Sequence, residues 1–308
     1  MTDWGPKTIY MMGEEALVLD DIIGQEPAKD KAQQFINLLC NKQIFKLYGL
    51  EIPHILMHGP VGTGKTMLAK AIAFETINQS ENICFFSMNL QDIGTAYVNE
   101  TANNFTKIMD YCYSLLNSET PAFEYIVLFI DEFDSVGMER GSSRTTSESD
   151  KLVNAINSYM DGDRKIDNLS FIAATNYYDL LDVSQKSRYG LHIKFSNFIN
   201  KQEIADLFKS NIEIVERNKD KTIKFSIFKN IDHMCLAESL DIETINGRMV
   251  KDIISLALQY RINQIIDTKT KEALIVNIHV TMDDFKHVIK DYVTERKPKN
   301  RLGFNELK

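Results

Sequence analysis

The sequence predicts an α/β fold: a parallel sheet sandwiched by helices, followed by a small all-α domain. Three observations predict it. Short apolar runs such as HILMHG, YIVLFIDE and LSFIAATN alternate with helix-like stretches over the first two thirds of the chain. Those runs are nearly continuous rather than alternating polar with apolar, as expected of strands buried on both faces. Beyond about residue 197 the strand-like runs give way to helical spacing, which places a helical domain after the sheet.

The first predicted strand, 54–59, ends in a glycine-rich turn and feeds MLAKAIAFETI, whose apolar spacing is that of a helix. CFFSMN (84–89) precedes the helix-like TANNFTKIMDYCYSLL, and YIVLFIDE (125–132) precedes SESDKLVNAINSYM. LSFIAATN (169–176) and LHIKFS (191–196) complete the sheet. Segment 137–149, GMERGSSRTTSES, reads as a long loop, a kind that is commonly functional. KQEIADLFKSNIEIVER, ETINGRMVKDIISLALQYRINQII and TMDDFKHVIKDYV then read as helices, two of them with Thr or Asp capping signals. The expected division is an N-terminal linker over 1–20, a large α/β domain over 21–196, a small helical domain over 197–295 and a basic tail over 296–308.

A chain of 308 residues, 44% hydrophobic, is long enough for one large and one small domain. Its net charge of −8 supplies no overall basic field, which argues against nucleic acid as the main partner. Cys40, Cys84, Cys112 and Cys235 form no CxxC pair and lie at no metal-ligand spacing with histidine, so free thiols in a reducing compartment are expected. The N-terminus has no basic segment leading into an apolar core, and no apolar stretch is long enough for a membrane span. A cytoplasmic protein is the expectation.

The strongest motif is GPVGTGKT, Gly59 to Thr66, which fits G-x-x-x-x-G-K-[ST] between a predicted strand and a predicted helix. Glycines let backbone amides converge on a phosphate, and the helix N-terminus adds partial positive charge. Gly59, Pro60, Val61, Gly62, Thr63, Gly64, Lys65, Thr66 and Met67 are therefore the candidate contacts for ATP. Lys65 is placed to reach the β- and γ-phosphates, and Thr66 to ligate Mg2+ through its hydroxyl. The sheet is then that of a P-loop NTPase. In IVLFIDEFD an apolar strand carries Asp131 and Glu132 to its C-terminal end, the edge where open α/β sheets bind ligands. Asp131 suits the Mg2+ shell and Glu132 the polarisation of an attacking water. Acids at a strand end are commonly solvated turn residues; the upstream P-loop is what favours the functional reading.

With these motifs in place, the chain resembles the ATPase module of the AAA family, especially that of membrane-bound bacterial metalloproteases and proteasomal ATPases. The resemblance runs from about Leu19 to Val293, through DDIIGQEPAKDKA, the P-loop, FIDEFDSVGMERG, NAINSYMDG, IAATN and TMDDF. It implies that Ile23 and Gly24 contact the adenine and that Gly247 packs on the nucleotide from a helical lid. It implies that Asn176 binds the attacking water or γ-phosphate, and that Arg188, in QKSRYG, completes the site of an adjacent subunit. Family members usually carry two or three arginines near that point; this chain has Lys186, Ser187 and Arg188, and lysine lacks the bidentate fork. Arg248 stands near a second sensor position that is usually small and uncharged in this branch. DIGTAYVNETAN resembles the segment that family members project into a central channel, with Tyr97 as the aromatic, Val98 beside it and Asn99 in place of the usual glycine. A loop aromatic can grip an extended polypeptide by packing alone. Met138 and Arg140 would belong to a second channel loop. The plainer readings are a turn for Gly24, a helix start for Gly247, a strand-end turn for Asn176, a half-buried loop residue for Tyr97 and solvated charges for Arg188 and Arg248.

The function this implies is an ATP-hydrolysing ring motor, a hexameric homo-oligomer that unfolds, translocates or remodels protein substrates through its pore. The alternatives are an assembly or DNA-transaction factor switched by its ATP state, for which the basic tail speaks, and a nucleotide-binding scaffold with little turnover. No HExxH occurs, so a protease would be a separate partner, as would an adaptor. Only about twenty residues precede DDIIG, so no folded N-terminal substrate-selection domain is expected.

Overall fold

The computed structural model describes residues 9–13, 16–90, 100–136, 145–220, 223–266 and 278–296. The chain divides into two compact units, Met1–Ser196 and Asn197–Lys308. The first unit is the α/β fold read from the apolar runs. Its strands are β1 (Ile9–Met11), β2 (Ile55–His58), β3 (Ile83–Asn89), β4 (Tyr125–Asp131), β5 (Leu169–Thr175) and β6 (Leu191–Lys194). They form one sheet in the order β1-β3-β4-β5-β2-β6, in which β2 to β6 are parallel and β1 is an antiparallel edge strand on β3.

Alternate strand residues feed two cores, one on each face. Leu56, Phe86, Leu128 and Phe171 pack with α4 (Glu100–Asn117) and α5 (Thr145–Met160). Ile55, Met57, Phe85, Phe129 and Ile172 pack with α1 (Glu26–Cys40) and α3 (Lys65–Gln79). All seven residues of β5 are buried, which is why its run carries no polar alternation. The order sets β2 between β5 and β6. The chain leaves β2 for β3, returns through β4 and β5, and then crosses to β6 on the other side of β2. That reversal opens a crevice at the carboxyl ends of β2, β4 and β5.

Three local features differ from the reading of the periodicity. Strand β1 lies inside the 1–20 segment and is too short, at three residues, for a period of two to register. Helix α1 and the short α2 (Lys42–Leu47) precede the first predicted strand. Helix α1 buries Ala28, Ala32, Phe35, Ile36 and Leu39, a helical stripe diluted by two alanines, with a proline in its first turn. Helix α5 starts at Thr145, so residues 145–149 of the predicted loop are helical. Residues 137–144 lie outside the described residues.

The second unit is helical: α7 (Lys201–Asn218), α8 (His233–Glu238), α9 (Gly247–Ile266) and α10 (Met282–Arg296) enclose a core containing Phe208, Phe228, Ile253 and Phe285. Capping side chains start its helices, with Asn200 accepting from the Glu203 amide, Asp232 from Cys235 and Asn246 from Met249. No helix among the described residues is long and apolar enough to cross a membrane.

Candidate functional site

Strand β2 ends at His58, and the chain then turns sharply into α3 through the glycine-rich loop. At Gly59, φ is +146°, and an added Cβ would stand 2.4 Å from the Phe195 carbonyl oxygen. Only glycine allows the loop to leave the sheet that close to the end of β6. Gly64, at φ +102°, is the residue preceding α3, and no atom of the described residues lies within 4 Å of its missing Cβ. Among the described residues no side chain caps α3, so its first amides are left for an anion.

Lys65, only 8% exposed, curls back so that its Nζ donates to the carbonyls of Gly59 at 2.8 Å and Pro60 at 2.7 Å. Burial lowers its pKa from 10.5 to about 8, against the opposing pull of Asp131 and Asp134. Thr63 ties the loop further by donating its hydroxyl to Pro60 O at 2.8 Å. This is a cationic loop held by its own neutral carbonyls, to which a phosphate oxygen offers a stronger partner.

From the neighbouring α3 start, Thr66 donates its hydroxyl to Asp131 Oδ2 at 2.8 Å. Asp131 Oδ1 accepts from the Glu132 amide at 2.9 Å. Glu132 has φ +51°, a left-handed conformation that side chains other than glycine seldom adopt. Asn89, paired in register with Asp131, directs its Nδ2 to Glu132 Oε2 at 3.4 Å. Among the described residues no three His, Cys, Asp or Glu converge into a metal cage. A hydroxyl and one carboxylate at the mouth of a phosphate loop are instead a donor set for Mg2+, which keeps water and phosphate oxygens as ligands.

At the end of β5, the backbone N–H of Asn176 donates to Asp134 Oδ1 at 2.9 Å, and Asp134 is buried. The structure thus brings Lys65, Thr66, Asp131, Glu132 and Asn176 to one sheet edge. Asn89 and Asp134 join them without having been singled out in the sequence; the available signal was a polar residue ending a buried strand or following the acidic pair. Gly24, at φ +68°, precedes Gln25, whose amide group clasps Ser196 through Nε2 to O at 2.7 Å and Oε1 to N at 3.1 Å. This fixes the Ile23–Gly24 turn beside the end of β6.

Arg188 stands apart from these groups, at the C-terminus of α6 (Val183–Ser187). Its Nε donates to Asp161 at 3.0 Å and its Nη1 to the carbonyl and hydroxyl of Ser184 at 2.9 and 2.8 Å. Lys186 is engaged within the chain, its Nζ 4.4 Å from the centre of the Tyr178 ring. Gly247 and the exposed Arg248 begin α9 of the second unit. Tyr97, Val98, Met138 and Arg140 lie outside the described residues.

Residues 55–197 match the model of the ATPase family associated with various cellular activities (AAA). The matched stretch opens at β2 and closes just past β6, so it contains the loop, the acidic pair, Asn176 and Arg188. The chain carries an AAA ATPase domain.

ATP hydrolysis is the activity of such a domain, and the AAA domain has relatives in two groups of larger proteins. The ATP-dependent zinc metalloprotease FtsH 2 of Sphaerobacter thermophilus is 32% identical over 171 residues, 55% of this chain and 24% of that protein. A protein of Methanocaldococcus jannaschii named as a 26S proteasome regulatory subunit homolog is 29% identical over 251 residues, 77% of this chain and 63% of its own length. The proteasome-activating nucleotidase of Sulfurisphaera tokodaii is 28% identical over 219 residues, 68% of this chain and 51% of that one. The chain therefore spans between about a quarter and just under two thirds of the length of these relatives.

Proposed function

We propose that the protein is an ATP-driven ring motor, a homo-oligomer of hexameric form that unfolds, translocates or remodels protein substrates in the cytoplasm. The observation that carries the nucleotide chemistry is the Thr66–Asp131 hydrogen bond at the mouth of the Lys65 loop, with Glu132 next in the chain. Relatives named for proteolysis and for the proteasome support polypeptide as the substrate class.

On this reading the backbone amides of Gly62 to Thr66 receive the phosphates, and Lys65 exchanges the Gly59 and Pro60 carbonyls for phosphate oxygen. Thr66 and Asp131 hold Mg2+, which when bound offsets the charge that develops on the triphosphate. Glu132 takes a proton from the attacking water, and Asn176 orients that water through its side-chain amide. Ile23 and Gly24 flank the adenine. Gly247, the first residue of α9, is a further nucleotide contact on this reading. Arg188 of one subunit stabilises charge at the site of the next, a contribution of about 10³–10⁵ in rate in related systems. Tyr97 and Val98 line the channel and grip the substrate.

The test is steady-state ATP turnover alone, with an unfolded protein and with DNA, in the wild type and in Tyr97→Ala. The motor reading expects stimulation by unfolded protein that is lost in Tyr97→Ala while ATP still binds. Stimulation by DNA alone contradicts it and favours an ATP-switched DNA-transaction factor.

A further inference from the structure

Tyr178 touches three elements of the first unit at once, and the ATP site as described uses none of these contacts. It opens the single 3-10 turn that follows Asn176. Its ring stacks on His58, with centroids 4.0 Å apart and planes at 27°. Its hydroxyl lies 3.2 Å from His192 Nδ1 on β6, and the Lys186 ammonium of α6 stands 4.4 Å from its ring centre. His192 Nε2 in turn lies 3.1 Å from the Lys186 carbonyl.

The proton positions follow from what each group can do. A carbonyl only accepts, so His192 Nε2 carries a proton; in the neutral ring Nδ1 then accepts and the Tyr178 hydroxyl donates. The result is one directed chain from Tyr178 through His192 to the backbone of Lys186. Burial, reinforced by His192, Lys194, Lys31 and Lys65, lowers the His58 pKa to about 4, so the stacked imidazole is neutral at ordinary pH. His58 immediately precedes Gly59, whose carbonyl holds Lys65, and Arg188 donates its backbone amide to Gln185 O within the same short helix as Lys186.

We infer that Tyr178 is a positioning residue for Arg188: it locks α6 in register with the root of the P-loop, so that presentation of Arg188 to a neighbouring site depends on the ring and hydroxyl of Tyr178. The inference rests on the arginine-finger reading above. A tyrosine that only filled space would not need its hydroxyl, its ring face and a lysine engaged at once with two paired strands and the helix that precedes one of them.

The experiment is a double-mutant cycle on ATP turnover in the full chain, with Tyr178→Leu, Tyr178→Phe, Arg188→Ala and Tyr178→Leu/Arg188→Ala. Affinity for a fluorescent ATP analogue and melting temperature are read beside kcat and KM. Tyr178→Leu is expected to lower kcat about tenfold or more, up to the roughly 10³–10⁵ that loss of an arginine finger costs, with nucleotide affinity kept within about twofold. Tyr178→Phe, which keeps the stack and the lysine contact but removes the bond to His192, recovers only part of that loss. In the Arg188→Ala background Tyr178→Leu costs nothing further, because both act through one group. Losses that multiply in the double variant, or nucleotide affinity falling in step with kcat, overturn the inference. Full turnover in Tyr178→Leu beside a slow Arg188→Ala defeats it alone. Full turnover in Arg188→Ala defeats the finger reading and the inference with it.

Discussion

Thr66 and Asp131 stand 65 positions apart in the sequence and share a 2.8 Å hydrogen bond across the carboxyl edge of the sheet. The contact sets the start of α3 against the end of β4 and leaves a hydroxyl and a carboxylate converging on one point. Thr66→Val keeps the shape and removes the hydroxyl, so the magnesium concentration for half-maximal turnover should rise about 10–100-fold, the worth of a hydrogen bond to a charged group. Thr66→Ser should restore it. A magnesium titration of ATPase activity checks both.

Two glycines of the loop should fail in different ways. Gly59→Ala drives a Cβ into the Phe195 carbonyl at 2.4 Å and should cost about 2–3 kcal/mol of stability, read as a fall in denaturant midpoint. Gly64→Ala meets no atom of the described residues within 4 Å, so only its left-handed backbone resists, at about 1 kcal/mol. Its methyl intrudes on the phosphate cradle, and ATP affinity should fall far more than stability.

Lys65 should give ATP binding a pH dependence. Its pKa is about 8 in the folded protein against 10.5 when free of burial, and a bound triphosphate favours the ammonium. Affinity should be level below pH 8 and fall as pH rises beyond it, because binding must then take up a proton. Fold stability without nucleotide runs the other way between pH 8 and 10.5: the unfolded chain holds the proton that folded Lys65 has lost, so this group's contribution rises with pH. Calorimetric titration at several pH values, repeated with Lys65→Met, isolates its share.

Arg188 should matter for rate and little for folding. Its partner Asp161 is half exposed, and such a surface bridge contributes about 0–1 kcal/mol. Arg188→Ala should therefore lower kcat by about 10³-fold or more while melting within a few degrees of the wild type. Arg188→Lys should fail to rescue, since an ammonium lacks the planar fork.

Asp134 is the acid that holds Asn176 in place. Asp134→Ala leaves the part-buried Asn176 backbone amide without its acceptor, at about 1 kcal/mol, and should lower kcat through the displaced Asn176 side chain. Asp134→Asn still offers a carbonyl oxygen and should recover most of both, as followed by thermal melts and turnover.

Strands buried on both faces were legible because their apolar runs need no partner to be recognised, as the fully buried β5 illustrates. The P-loop was legible because glycine spacing and Lys65–Thr66 encode one backbone shape. Helix α1 was not, since Ala28 and Ala32 weaken the apolar stripe that Phe35 and Leu39 complete. The three-residue β1 has no period to read and exists through its pairing with β3. Asn89, Asp134 and Tyr178 were invisible for another reason: each acts through a contact with a residue distant in the sequence or on another element, and nothing local marks which polar residue will meet such a partner.

Release of phosphate from ATP in the presence of magnesium, compared between the wild type and Glu132→Gln with bound nucleotide measured in parallel, bears most directly on the site. Turnover in the wild type, a loss of about 10²–10⁴-fold in Glu132→Gln and undiminished ATP binding in that variant are the predicted results. Equal phosphate release by the two proteins would contradict the assignment of Glu132, and with it the chemistry proposed for the edge where β2, β4 and β5 end.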